Sequence, residues 1–443
     1  MRKFCVSQGG LIAAVKAQGV GLAHYGQIRH LSVALTPTWK ALILLLCSSR
    51  FLKIATKGAF PMKYRKLGRS GCEVSILGLG CMRLPIIGGD EARIDEPKAD
   101  RMLKAAIEKG VNYLDTAYPY HKGESEKFLG RALCGGLRNK VRLATKLPSW
   151  AVETTADFDR FLNEQLERLQ TDHIDFYLLH ALKADWWEKL DHLGVLEFLD
   201  RAIRDGRIGA AGFSFHDELP LFKQIVDAYD WSFCQIQYNY MDEQIQAGRE
   251  GLDYASERGL GVVVMEPLRG GHLARESAPD IQSLWDNAPV RRTPAEWALR
   301  WVWDHPGVTS VLSGMNELAQ VEENCRIADQ ATPRSLSPQE QALIGQVRDT
   351  LRQRIKVPCT ACGYCMPCPS GVNIPRIFNL YNDRFIYGDA GFPHRMYTIT
   401  MNAAELGSNC TRCGLCEKHC PQHIAIIDML EESHRTLSEN PEA

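Results

Sequence analysis

The amino-acid sequence predicts an α/β protein, a (β/α)8 barrel followed by a smaller, cysteine-rich helical domain. Three observations carry this. From about residue 74, short apolar runs alternate with amphipathic stretches, and the count of such runs reaches eight. No Gly-x-Gly-x-x-Gly opens the first helix, as an open dinucleotide-binding sheet requires; Gly78-Leu79-Gly80 is only a fragment of it. Eight of the 15 cysteines fall in the last 85 residues, in two tight runs.

The eight runs are 74–80, 111–115, 141–146, 174–180, 208–214, 233–239, 261–267 and 308–314. They are mostly apolar throughout and several are β-branched, as parallel strands covered on both faces are. Helical stripes lie between them. From Pro97 to Gly110, Met102, Leu103, Ala106 and Ile107 share a face, with a proline suited to the first turn and a glycine stop. From Thr154 to Leu169, Phe158, Phe161, Leu162, Leu166 and Leu169 recur at three-to-four spacing, and Leu196, Leu199 and Ile203 do so before a stop at Gly206. Residues 62–335 are read as the barrel and 336–443 as the second domain, which opens on a Ser-Pro helix over 337–354. Residues 1–61 pattern differently. Their apolar run over 41–47 is too short to span a bilayer and too far from Met1 for an ordinary signal peptide, whereas Met62 opens the patterned segment. The extension is therefore expected to be disordered or translated from upstream of the true start.

Lys plus Arg number 52 and Asp plus Glu 53, for a net charge of −1, which argues against a nucleic-acid or polyanion binder. With 45% hydrophobic and 24% charged residues the chain can bury a large core, and it contains no apolar run of membrane-spanning length. Scattered plus clustered cysteines indicate a reduced, cytoplasmic compartment with metal or iron–sulfur ligation.

In a (β/α)8 barrel the chemistry sits at the C-terminal strand ends. The second strand ends in Asp115, with Tyr120 on the loop beyond; the third ends in Lys146 and the fourth in His180. The separations, 31 residues from 115 to 146 and 34 from 146 to 180, are one strand–helix unit each, so adjacent strands bring the three to one rim. Each residue alone reads as packing; the four together, in order, read as a site. A phenol can protonate the alkoxide left when a hydride reaches a carbonyl carbon. A neighbouring ammonium lowers the phenol's pKa, Asp115 holds Lys146, and a neutral His180 orients and polarises the carbonyl oxygen.

Cys359, Cys362, Cys365 and Cys368 precede Pro369, and Cys410, Cys413, Cys416 and Cys420 precede Pro421. The second run has the ferredoxin spacing, in which three close cysteines hold one cubane and the fourth reaches the other cluster. The first run departs from it, with two residues before its last cysteine where three are usual. Eight thiolates divide into two sets of four, matching two [4Fe–4S] clusters in a ferredoxin-like domain. Structural zinc is the rival, but it usually pairs two Cys-x2-Cys knuckles.

These motifs resemble the aldo/keto reductase family: Gly78-Leu79-Gly80 after the first strand, the segments 115–120 and 123–126 after the second, the lysine of the third and the histidine of the fourth. The resemblance covers about residues 62–330. It implies that Asp115, Tyr120, Lys146 and His180 are the catalytic tetrad, with Tyr120 as acid/base, and that NAD(P)H binds without a Rossmann motif. Ser214 and Gln235 match positions that hold the nicotinamide carboxamide, and Met265 stands where a ring-stacking tyrosine is frequent. Leu268 and Arg269 fall in the cofactor-binding set, Arg269 as a pyrophosphate contact. Ser313, Gly314, Met315, Gln320, Glu323 and Asn324 match the adenosine end. Gly314 and Gln320 replace the basic pair of members specific for the phosphorylated cofactor, so NAD is admitted beside NADP. By resemblance to two-cluster ferredoxins, Cys359, Cys362, Cys365 and Cys420 hold one cluster, and Cys410, Cys413, Cys416 and Cys368 the other.

The reading is an NAD(P)-dependent oxidoreductase interconverting a carbonyl and an alcohol, coupled to or regulated by two clusters, with an external redox protein as a candidate partner. The alternative is an electron carrier or redox sensor whose barrel is a nucleotide- or partner-binding scaffold. Whether Trp150, Trp186 and Trp187 wall a substrate pocket or pack the barrel top is open at this stage.

Overall fold

The computed structural model describes residues 62–275, 278–386 and 390–439; the expectations for residues 1–61 lie outside them. The described residues fall within one compact unit, Phe60–Ala443.

Eight parallel strands close into a barrel: β1 (Leu77–Gly80), β2 (Tyr113–Asp115), β3 (Arg142–Leu147), β4 (Ile174–Leu182), β5 (Ile208–Phe215), β6 (Phe233–Gln237), β7 (Gly261–Met265) and β8 (Val308–Ser313). Each pairs with its sequence neighbours, and β8 returns to β1 through Val311 opposite Leu77 and Ser313 opposite Leu79. The strands are apolar on both faces because both are covered. Tyr113, Phe176, Leu178, Phe233, Val263 and Leu312 cluster with one another, with Leu67 and Val74 of the N-terminal hairpin among them. Their strand neighbours Leu114, Tyr177, Leu179, Cys234, Val262 and Val311 belong to a separate, larger core with the helices. Period-two alternation thus sorts two apolar sets rather than apolar from polar.

Helices α1 (Glu96–Glu108), α2 (Glu124–Ala132), α3 (Ala156–Arg168), α4 (Ala184–His192), α5 (Val195–Arg204), α6 (Leu219–Ala228), α7 (Gly248–Glu257), α8 (Pro279–Asp286), α9 (Pro294–Asp304) and α10 (Leu318–Gln330) accompany the strands. The Asp95 side chain caps α1 by accepting from Lys98 N, and Met102, Leu103 and Ala106 are buried as their spacing predicts. Helix α4 carries no such stripe in the expected set, yet it buries Trp187 at 5% exposure. Strand β4 runs past His180 to Leu182, and β2 is shorter than the predicted run.

Helix α11 (Pro338–Arg354) opens with a capping box between Ser337 and Glu340, as the Ser-Pro start predicts. It is followed by α12 (Ile374–Ile386), α13 (Gly391–Arg395), α14 (Leu415–His419) and α15 (Ile426–Ser438). Val372, Ile377, Phe378, Leu380, Tyr381, Ile426, Leu430 and Leu437 form a second core, against which six of the eight clustered cysteines pack. Among the described residues no helix is long and apolar enough to cross a membrane.

Candidate active site

The C-terminal strand ends bring the four predicted residues together. Lys146 Nζ donates to Asp115 Oδ1 at 2.7 Å, to Thr116 O at 2.7 Å and to Tyr120 Oη at 3.3 Å. Register explains this: Asp115 lies opposite Ala144, so Lys146 stands two residues further along the neighbouring strand, on the same face. The Tyr120 and His180 rings lie 6.0 Å apart. Asp115, Lys146 and His180 are all at most 2% exposed, so the ammonium and carboxylate persist there only as a pair.

The electrostatics differ from the sequence expectation at one point. Burial, reinforced by the fields of Asp115, Cys81 and Glu266, pushes the Tyr120 phenol well above the ordinary tyrosine value. Burial also pushes Lys146 down, and the Asp115 carboxylate opposes that shift. Tyr120 is therefore held protonated, as a proton donor must be. Burial, with Lys146 and His216 adding positive field, drives His180 well below the usual imidazole value, so it is neutral as expected. Its Nδ1 has no partner among the described residues, whereas its Nε2 lies 3.1 Å from Tyr364 Oη.

The remaining predicted positions divide. Ser214 Oγ accepts from Ala181 N at 2.7 Å. The Gln235 amide nitrogen reaches Met265 Sδ at 3.7 Å, and its buried Oε1 has no partner among the described residues, an acceptor that a carboxamide N–H would satisfy. Ser313 Oγ accepts from Asn324 Nδ2 at 3.0 Å, and Met315 is buried. Gln320 is committed to the α10 capping box, Glu323 accepts from Thr293 Oγ1 at 2.7 Å, and the Arg83 side chain covers Gly314. Leu268 packs, partly buried, against the barrel core. Arg269 is not a free loop cation. Only 4% exposed, it donates from Nε to Asp242 Oδ2 at 3.1 Å, and that same oxygen accepts from Gln237 and Asn239 at 3.0 Å. Removing the carboxylate strands a buried guanidinium. Asp242→Ala is thus expected to cost about 3–5 kcal/mol, read as a lower denaturant midpoint, and a midpoint unchanged from wild type refutes the pairing. The tryptophans separate too. Trp187 is core, whereas the Trp150 ring stands 5.1 Å from His180 and 5.8 Å from Trp186, at the site.

The cysteine runs fold alike. Ala361 and Gly363 adopt positive φ, and so do Arg412 and Gly414 at the corresponding places after Cys359 and Cys410. Gly371 and His423, each three residues after a Cys-Pro cysteine, repeat the pattern, and α12 and α15 each begin six residues after that cysteine and run 13 residues. The chain therefore makes the same loop–helix unit twice. Cys359, Cys362, Cys365 and Cys420 line one cavity of about 320 Å³, part of it open to solvent, with Ile374 and Phe378 among its apolar walls. At the other end, Ser370 Oγ meets Thr411 Oγ1 at 3.0 Å, which brings the chain just after Cys368 beside Cys410. Ala361 N donates to Cys359 Sγ at 3.4 Å, as amides do to cluster sulfurs. Burial pushes the Cys359 thiol up to about 11, an environment in which a bound metal keeps the thiolate form. The donor set and cavity fit a [4Fe–4S] cube.

The barrel and this domain meet at the site. Arg83 Nη2 donates to Ala361 O at 3.1 Å, Gln246 Nε2 to Pro421 O at 2.9 Å and Gln422 Nε2 to Gln237 Oε1 at 2.8 Å. Gly270 approaches so closely that a Cβ there would stand 2.2 Å from Thr360 O.

A closed parallel barrel with an Asp–Lys–Tyr–His rim, joined to a twofold cysteine domain, defines an oxidoreductase class. Comparison with known proteins agrees. The aldo/keto reductase family pattern matches residues 76–342 and a 4Fe-4S dicluster domain matches 358–425. The oxidoreductase YrpG of Bacillus subtilis is 32% identical over 320 residues, covering 60% of this chain and 91% of that protein. The 6-dehydroglucose reductase of Novosphingobium aromaticivorans is 29% identical over 59% of this chain and 89% of its own. The solved aldo-keto reductase AKR11C1 of Bacillus halodurans, holo form, superimposes with a TM-score of 0.54 at 31% identity, covering 65% of this chain and 96% of that one. The chain belongs to the aldo/keto reductase family, as an NAD(P)-dependent oxidoreductase extended by a 4Fe-4S domain.

Proposed function

We propose that the chain interconverts a carbonyl and an alcohol at the rim formed by Asp115, Tyr120, Lys146 and His180, with Tyr120 as acid/base. The observation that carries this is the single, buried Lys146 ammonium donating to both Asp115 and Tyr120. A bound nicotinamide supplies or takes the hydride; Ser214 and Gln235 hold its carboxamide. Neutral His180 donates to the carbonyl oxygen and fixes its orientation. Tyr120 delivers its proton as negative charge develops on that oxygen, and the Lys146 hydrogen bond stabilises the phenolate that remains. Asp115 keeps Lys146 charged in spite of burial.

Cys359, Cys362, Cys365 and Cys420 hold one [4Fe–4S] cluster, and Cys368, Cys410, Cys413 and Cys416 a second. These supply one-electron transfer. Cys413 is exposed, whereas the chain beside the first set bonds to the barrel through Ala361 and Pro421, so an external redox protein docks at the second set. The test is anaerobic purification with iron and sulfide analysis, then NADH and NADPH consumption against a panel of aldehydes and ketones. Turnover with at least one carbonyl is expected, and lack of any nicotinamide binding removes the reading. With Gly314 and Gln320 in place of two cations, charge-assisted contacts of about 1.5–3 kcal/mol each are missing from a 2′-phosphate clamp. A KM for NADPH no lower than that for NADH is therefore expected, and a strongly lower one overturns the assignment of those positions.

A further inference from the structure

The iron–sulfur loop carries a phenol into the reductase site. Tyr364 stands between Cys362 and Cys365. Its ring lies 6.1 Å from the ring of His180 and 5.6 Å from that of His216, and its Oη is 3.1 Å from His180 Nε2. The loop that holds it is docked on the barrel by Arg83 and by the close approach of Gly270. No other hydrogen bond to His180 Nε2 is present among the described residues, and the opposite ring nitrogen has no partner there, so this contact is the imidazole's one side-chain bond.

An imidazole nitrogen makes a single hydrogen bond of good geometry. His180 Nδ1 is buried away from the surface, so a substrate carbonyl that His180 orients is reached through Nε2, and this inference rests on that reading. The oxygens of Tyr364 and of a substrate carbonyl therefore compete for one position. We propose that Tyr364 sets the affinity of the site for carbonyls: its hydroxyl occupies the seat of the carbonyl oxygen on His180, and substrate binds by displacing it. The dicluster domain thereby supplies a positioning residue to the barrel, acting through His180.

The experiment uses the full-length chain, purified anaerobically with clusters in place, as wild type, Tyr364→Phe and Tyr364→Leu. Iron and sulfide content and circular dichroism verify folding, and the leucine variant serves if the phenylalanine variant does not fold. Benzoate, whose carboxylate accepts from the same donors as a carbonyl oxygen, is titrated by calorimetry, and KM and kcat are measured with an aldehyde that the wild type reduces. A net hydrogen bond of about 0.5–1.5 kcal/mol corresponds to roughly 2- to 12-fold. Tyr364→Phe is expected to lower the benzoate Kd and the aldehyde KM by that factor, with kcat changed less than about twofold. A Kd that is unchanged or raised overturns the proposal, and so does a kcat that collapses, since Tyr364 would then belong to the chemistry itself. Benzoate binding is scored without turnover, whereas the tetrad reading is tested by nicotinamide binding and by the activity of Tyr120→Phe, so the two failures are separable.

Discussion

Tyr120→Phe is expected to lower the kcat for NAD(P)H-dependent carbonyl reduction by about 10²–10⁴-fold, the usual contribution of a positioned proton donor. The size of the loss follows from the surroundings of the phenol. Among the described residues Tyr120 is the one titratable hydroxyl bonded to Lys146, and burial keeps it protonated. The aromatic ring remains in the variant, as does the Lys146–Asp115 pair at 2.7 Å, so folding, nicotinamide binding and cluster content are expected to stay at wild-type levels. Steady-state kinetics with fluorescence titration of NADH separates the two effects. A variant that retains its kcat sinks the assignment of Tyr120. A variant that loses nicotinamide binding in parallel shows that the hydroxyl holds the site together instead. Lys146→Met is a sharper perturbation but a less clean one, because it leaves Asp115 buried without its cation and costs about 3–5 kcal/mol of stability.

The tetrad was legible in the sequence because barrel geometry converts spacing into position. One strand–helix unit separates Asp115 from Lys146 and Lys146 from His180, and parallel register places both basic side chains at one rim. The cysteine runs were legible for the same kind of reason, since ligand spacing is local. Contacts that depend on where one domain lies over another left no such trace. Tyr364 sits 184 residues from His180, inside a motif whose cysteines draw all the attention. Arg269 is read from the sequence as a pyrophosphate contact, and nothing in the sequence indicates the Asp242 carboxylate that the fold brings beside it. Trp187 and Trp186 are neighbours in sequence on α4, and only the packed helix sends one to the core and the other toward Trp150. The Tyr120 phenol differs from the sequence expectation for a related reason. Proximity to Lys146 is visible in the sequence, but the burial that outweighs it belongs to the folded rim.

Cys420→Ser is expected to remove the cluster held by the first cysteine run, although Cys420 belongs to the second. Iron should fall from about eight to about four atoms per chain, because a cubane needs its four thiolates. The physical basis is the shared cavity of Cys359, Cys362, Cys365 and Cys420, into which the turn after α14 delivers the last ligand. The pairing is decided by double variants. If Cys420 and Cys359 serve one cluster, the double Ser variant loses no more iron than either single one. Combining Cys420→Ser with Cys413→Ser removes both clusters. The reverse pattern, both clusters lost with Cys359→Ser and only about four iron atoms lost with Cys413→Ser, refutes the exchange of ligands between the runs. The loss also has a directional consequence at the barrel. The residues after Cys420 bond to Gln246 and Gln237, and the loop after Cys359 carries Tyr364 to His180. Cys420→Ser therefore alters the KM for the carbonyl, whereas Cys413→Ser, at an exposed cysteine, leaves it near the wild-type value. A KM that responds equally to both substitutions shows that the two cluster sites are not distinguished by their distance from the rim.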